Sequence, residues 1–299
     1  MGSAKISNRD AADSRDNPQT FSQSLSMAIS SSLVRIFENR VVFLTGAASG
    51  IGHSLSRLLI DSGAILIAVD RDSEGLAKLK SELGERCHPV ELDVVDAKAY
   101  REVADAVEFE HGRIDYLFNN AGVSVLGEAH KVPFDRWKWL LDINVLGVAN
   151  GISEIYPRMV RWGGGHIINM ASIAGSTGYV TAAAYTCSKG AVIELSRSLR
   201  EEGRAYGIKV SLVCPGYVKT NIFTEDRVIG ADLDTVMKDV PVEMLTPDVA
   251  AASILKGVAR GADTIIFPLS AKLLWLVSRW APSFLGPVQR KLLKAFKER

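Results

Sequence analysis

The chain has 299 residues, of which 47% are apolar and 23% charged, with a formal net charge of +1. That length suits one large α/β domain with tails, and the balance excludes a disordered, collagen-like or disulfide-stapled protein. The near-zero charge gives no reason to expect a nucleic-acid partner, and Cys87, Cys187 and Cys214 lie far apart without CxxC spacing, so no metal site or disulfide framework is expected.

Residues 1–19 are rich in Ser, Asn, Asp and Arg and read as a disordered tail. Asp10, Asp13 and Asp16 sit where a signal peptide needs basic and then apolar residues, so the chain is expected to be cytoplasmic and not secreted. In residues 20–39, Phe21, Leu25, Ile29, Leu33 and Ile36 recur at helical steps and predict an amphipathic helix, packed on its own domain or a sister subunit or touching a membrane. No run of about 20 apolar residues predicts a spanning helix.

Residues 40–268 alternate short apolar runs with helix-length segments. Seven strands are expected, at Val41–Leu44, Ala64–Val69, Pro89–Leu92, Ile114–Phe118, His166–Met170, Ile208–Val213 and Thr264–Phe267. Helical periodicity falls between them, as in Ile51–Asp61, Ser73–Leu83, Ala97–Glu110 and Ala183–Tyr206. Strands joined by helices build right-handed βαβ units. The expected fold is α/β: a Rossmann-like, doubly wound, seven-stranded parallel sheet with helices on both faces and helical extensions at each end. Ligands of such sheets bind at the carboxyl ends of strands, beside the reversal of strand order, so every functional motif should follow a strand.

The motifs meet that requirement. The first strand runs into Thr45-Gly46-Ala47-Ala48-Ser49-Gly50-Ile51-Gly52, a turn in which glycines permit a close approach of backbone to a pyrophosphate at a helix start. Asp70 closes the second strand, 18 residues after Gly52, where a carboxylate can accept from an adenosine ribose and repel a 2′-phosphate. NAD is therefore favoured, Arg71 leaves NADP open, and Asp70 could also cap the helix beginning near Ser73. Leu92-Asp93-Val94 follows the third strand, and Asn119-Asn120-Ala121-Gly122 the fourth. Ser172 follows the fifth, and thirteen residues later Tyr185-Thr186-Cys187-Ser188-Lys189 puts Tyr185 and Lys189 on one helical face, about 6 Å apart at Cβ. A tyrosine with an ordinary pKa of about 10 becomes a usable base only beside positive charge.

In this order and register, TGxxxGIG, Asp70, NNAG, Ser172 and YxxxK resemble the short-chain dehydrogenase/reductase family, over roughly Arg40 to Phe267. The resemblance implies a catalytic tetrad of Asn144, Ser172, Tyr185 and Lys189, with Tyr185 as acid/base and Ser172 on the substrate oxygen. It assigns Lys189 to the nicotinamide ribose and Asn144 to a water relay. It places Asp93 and Val94 at the adenine and Asn120, Ala121 and Gly122 around the adenine and ribose, and it leaves Asn119 either a structural role or a ligand contact. It gives Pro215, Gly216, Val218 and Thr220 to the carboxamide. The activity implied interconverts a secondary alcohol and a ketone by hydride transfer. A 3-oxoacyl thioester reductase and a non-catalytic nucleotide-binding protein are the alternatives, and a homodimer or homotetramer is implied. Cys187 and Cys214 are read as packing residues.

Residues 217–245 are expected to form a lid. It contains Ile222, Phe223, Val228, Ile229, Leu233, Val236 and Met237, which suits either an apolar small-molecule substrate or packing on the domain. Residues 269–299 form a basic amphipathic extension, broken into two short helices by Pro282 and Pro287. A peripheral membrane contact, an oligomer contact and a cover over the pocket all remain open for it.

Overall fold

The structure is a computed structural model and describes residues 36–233, 236 and 243–297. The expected tail over 1–19, most of the helix over 20–39, and Met237 lie outside the described residues. The described end of that helical segment packs on the domain: Phe37 is fully buried, its ring 4.8 Å from that of Tyr116, and Ile36 is packed against the same core.

The seven strands form one sheet. They are β1 (Val41–Thr45), β2 (Ile65–Asp70), β3 (Cys87–Glu91), β4 (Tyr116–Asn119), β6 (Gly165–Met170), β7 (Ile208–Pro215) and β9 (Thr264–Phe267). Their spatial order is β3-β2-β1-β4-β6-β7-β9, and every pair is parallel. The order reverses at β1, which pairs with β2 on one side and β4 on the other, so a ligand crevice opens beyond the ends of β1 and β4.

Strand residues alternate between two apolar layers. Val42 and Leu44 pack with Leu55 and Leu59 of α1 (Gly50–Asp61) and with Ile254 of α8 (Pro247–Ala259). Val41 and Phe43 face the other way, toward Tyr100 of α3 (Ala97–His111), Ile155 of α5 (Gly147–Trp162) and Leu199 of α7 (Ala183–Arg204). Burial on both faces is why these strands read as unbroken apolar runs. Helix α2 (Ser73–Leu83) starts at Asp72, whose carboxylate accepts from Gly75 N. The cap is thus Asp72, which stands one residue before Ser73, and Asp70 is left for the turn beside it.

Three features depart from the sequence reading. A second, two-stranded parallel sheet joins β5 (Leu126–Gly127) to β8 (Val228–Ile229). The helix of α4 (Phe134–Leu141) continues through a π turn at Asp142–Leu146 into α5. Beyond the short α6 (Ala174–Thr177), the C-terminal extension holds α9 (Leu269–Trp280), a 3-10 turn at Pro282–Phe284, and α10 (Leu285–Lys297). The break therefore falls at Ala281–Pro282. Pro287 lies inside the first turn of α10, where its missing N–H would have no intrahelical partner anyway.

Candidate active site

Two clefts meet at the carboxyl edge of the sheet. The first is walled by Gly46, Ser49, Gly50, Ile51 and Gly52 of the first turn, by Asp70 and Arg71 after β2, by Asp93 and Val94 after β3, by Asn120, Ala121 and Gly122 after β4, and by Thr220. The second contains Ser172, Tyr185, Lys189, Pro215, Gly216 and Val218. Ile51, Asn120, Gly122 and Thr220 line both, so they form one continuous crevice. The expected positions are thereby gathered in one place, except that Asn119 and Asn144 lie behind the wall. Asn119 Nδ2 donates to Asn169 Oδ1 between strands, the structural one of the two roles left open for it.

Steric facts at the first cleft suit a dinucleotide. A Cβ at Gly46 would stand 2.9 Å from Ala121 Cα, and one at Gly52 would stand 1.8 Å from Gly46 O, so both positions exclude any side chain. Gly50 has a φ of +52°, which glycine adopts without strain. No side chain caps the start of α1, and no acidic residue sits in its first turn, so its N–H groups and dipole face the cleft. Asp70 Oδ2 accepts from Ala48 N at 3.0 Å, tying the end of β2 to the glycine turn. Thr45 Oγ1 accepts from the backbone N–H of Asn120 and of Ala121, and Asn120 Nδ2 donates to Thr45 O and Gly46 O. The NNAG segment is thus stitched to the phosphate turn. A nicotinamide nucleotide fits this cradle.

At the second cleft, Ser172 follows β6, and Tyr185 and Lys189 come one turn apart from α7. Ser172, Tyr185 and Lys189 line the same cleft, and the Lys189 ammonium lies 5.9 Å from the Tyr185 ring centroid. Lys189 Nζ donates to Met170 O at 2.9 Å. Burial pushes the Tyr185 phenol up to about 12, against a smaller downward pull from the nearby Ser172 hydroxyl. Burial pulls Lys189 down to about 8. Among the protein's own groups desolvation is the largest influence on this phenol; the expected lowering draws on the Lys189 ammonium together with an oxidised nicotinamide ring.

Asn144 sits in the π turn and is fully buried. Its Oδ1 accepts from Val123 N at 2.8 Å, and its Nδ2 donates to Val123 O and Ser188 Oγ. Ser188 in turn donates to Tyr185 O at 2.8 Å. The side chain thus braces α7 against the loop after β4. A Cβ on Gly122 would meet Asn144 Oδ1 and Lys189 Nζ, each at 3.2 Å, so that glycine sets how closely the two approach.

The C-terminal extension roofs the second cleft, one of the three readings the sequence left open for it. Leu274 of α9 and Leu292 and Phe296 of α10 line it, with Leu126, Tyr179, Tyr217, Ile222, Phe223 and Val236. Gln289 latches α10 to the loop after α6: Oε1 accepts from Val180 N at 2.9 Å, and Nε2 donates to Thr177 O and Gly178 O. Lys297 pairs with Glu128 at 3.0 Å, and Lys131 and Lys297 together hold the Glu128 carboxyl below its usual range. The lid residues divide. Ile222, Phe223 and Val236 face the cleft, whereas Val228 and Ile229 form β8. Cys214 is buried, as expected of packing, and its thiol is pushed up to about 12 by burial. Cys187 is exposed, so the packing reading fails there: α7 turns that side chain to solvent.

The short chain dehydrogenase family model matches residues 40–228. The chain belongs to the short-chain dehydrogenase family. This short-chain dehydrogenase is 34% identical over 251 residues to the protein SadH of Mycobacterium tuberculosis, covering 81% of this chain and 91% of that one. It is 33% identical over 246 residues to the C alpha-dehydrogenase of a Sphingobium species, covering 77% and 81%. Among solved structures, a short-chain dehydrogenase/reductase from Burkholderia phymatum in complex with NAD superposes with a TM-score of 0.72 at 27% identity, over 80% of this chain and 92% of that one. The dehydrogenase described here is accordingly an oxidoreductase with a Rossmann-type nucleotide site. Among its described residues, no helix is long and apolar enough to cross a membrane.

Proposed function

We propose that the protein interconverts a secondary alcohol and a ketone on an apolar small molecule, with Tyr185 as acid/base. The observation that carries this reading is the gathering of Ser172, Tyr185 and Lys189 in one wall at the point where the nucleotide cleft opens into an apolar cavity. A bound nicotinamide supplies or takes up the hydride.

The chain's residues do the rest. Ser172 donates to the substrate oxygen and holds it beside the Tyr185 hydroxyl. In reduction Tyr185 gives its proton to that oxygen, and in oxidation it takes the proton back. A phenol pushed up to about 12 is protonated at neutral pH, which suits the acid role and makes oxidation rise with pH. Lys189, whose Nζ donates to Met170 O, would hold the nicotinamide ribose and lend positive charge to the phenolate. The Asn144 amide is engaged at its acceptor and both donors by Val123 and Ser188, so its side chain positions α7.

Asp70 favours NAD over NADP, because its carboxylate would repel a 2′-phosphate, while Arg71 beside it would attract one. Asp93, Val94, Asn120, Ala121 and Gly122 would hold the adenosine half, and Pro215, Gly216, Val218 and Thr220 the nicotinamide half. The intact Ser172, Tyr185 and Lys189 set argues against a non-catalytic binding protein. The roof of Leu274, Leu292 and Phe296 suits a lipophilic substrate better than a small polar one. A cytoplasmic homo-oligomer is part of the reading.

The test follows reduced nicotinamide with NAD and NADP in parallel over sterols, retinoids, long-chain secondary alcohols and 3-hydroxyacyl thioesters. Turnover of apolar secondary alcohols with NAD is expected. Nucleotide binding without turnover anywhere in the panel would refute the reading, and exclusive use of thioesters would replace it with the acyl-thioester reductase.

A further inference from the structure

The C-terminal helix pair is apolar on two faces. Its inner face supplies Leu274, Leu292 and Phe296 to the cavity. Its outer face presents Leu269, Leu273, Leu276 and Trp280 at steps of four, three and four, which places them on one stripe of α9. Leu269 and Trp280 are each 80% exposed, and Phe284 and Val288 extend the exposed apolar surface beyond the turn. A contiguous patch of this kind marks an interaction surface.

The charges beside the stripe say what covers it. Lys272 and Arg279 are exposed at the intervening helical positions, the Arg279 guanidinium lying 5.9 Å from the Trp275 ring centroid, and Arg290 and Lys291 are exposed on α10. No acidic residue occurs between Leu269 and Lys297. A second copy related by a two-fold axis would oppose these cations to one another without a carboxylate between them. Helices of 12 and 13 residues are too short to span a bilayer and suit lying in its interface, apolar side down and cations at the headgroups.

We infer that the outer face of α9 and α10 docks on an anionic lipid surface, and that the cavity under the same helices receives its substrate from that surface. Leu273 is exposed while the adjacent Leu274, about 100° further round α9, lines the cavity, so one helix separates lipid from cavity. The supply of substrate rests on the function proposed above, whereas the docking does not.

Sedimentation of the full chain with phosphatidylcholine vesicles, with and without phosphatidylserine, tests the inference. Pelleting with the anionic vesicles is expected. It is abolished in the triple variant Leu273→Ser, Trp280→Ser, Phe284→Ser and reduced about tenfold or more by Lys272→Glu with Arg279→Glu. None of these five side chains lines the cavity, so thermal unfolding and nucleotide binding of the variants stay as in the wild type. The inference is overturned if the wild type stays in the supernatant, if the variants pellet equally, or if the triple variant only splits a dimer that ignores vesicles. Pelleting requires no turnover, so an inactive protein that still pellets would sink the proposed chemistry and leave the docking intact.

Discussion

Lys189→Met separates the cost of the site from its use. Lys189 is 3% exposed, and burial lowers it from 10.5 to about 8, so keeping the ammonium charged in the folded state costs about 3 kcal/mol at neutral pH. Methionine fills similar space without charge, but it leaves Met170 O without its donor, a loss of about 1–3 kcal/mol. Net stability at pH 7 should thus change by no more than about 2 kcal/mol in the stabilising direction, while turnover falls about 100-fold or more. The pH dependence carries the sharper test. The folded pKa is the lower one, so below about pH 8 lysine is charged in both states and the wild type bears the full cost. Between about 8 and 10.5 the folded lysine loses its proton first, and the cost fades. Urea unfolding of both proteins from pH 7 to 10.5 should show the wild type gaining about 3 kcal/mol relative to the variant. A difference that stays flat, or moves in the opposite direction, would refute the assignment of Lys189 as a buried, desolvated ammonium.

The nearby Ser172 hydroxyl pulls the Tyr185 phenol down, so Ser172→Ala should move the basic limb of the oxidation pH profile upward and lower kcat about 100-fold; an unmoved limb counts against that influence. Asp70→Asn removes the charge that a 2′-phosphate would meet and should shift kcat/KM toward NADP by about tenfold, equivalent to ~1.4 kcal/mol. An unchanged NAD to NADP ratio would place the discrimination elsewhere. Gln289→Ala deletes three hydrogen bonds that hold α10, each worth about 1 kcal/mol. It should speed amide exchange across residues 285–297 and raise KM for apolar substrates more than it lowers kcat, and unaltered exchange would show that the apolar contacts alone hold the roof.

Much of this architecture was legible because its signals are local. Strands buried on both faces leave apolar runs, and the glycines of the first turn mark positions where a Cβ collides with backbone. Tyr185 and Lys189 could be paired from helical geometry alone. What the sequence left open depends on contacts between distant segments. Leu273 and Leu274 are both leucines on one helix, and only the packing of α9 over the cavity turns one outward and the other inward. Gln289 carries no pattern that distinguishes it from a surface glutamine, yet it meets a loop more than 100 residues away. The two-residue pairing of β5 with β8 is too short for any periodicity. Cys187 lies between Tyr185 and Lys189 in sequence, but its place on α7 leaves it exposed, which spacing alone does not reveal. The desolvation of Tyr185 was not legible for a related reason: charge proximity can be read from spacing, whereas burial needs the walls of the cavity.

The central claim is that the Tyr185 hydroxyl moves the proton. A single-turnover measurement with Tyr185→Phe, saturated with nucleotide and with the best substrate from the panel, tests it most directly, because phenylalanine keeps the ring and removes only the oxygen. The rate should fall by about 10²–10⁴-fold, with nucleotide affinity and unfolding midpoint close to wild type. A rate near that of the wild type would contradict the account.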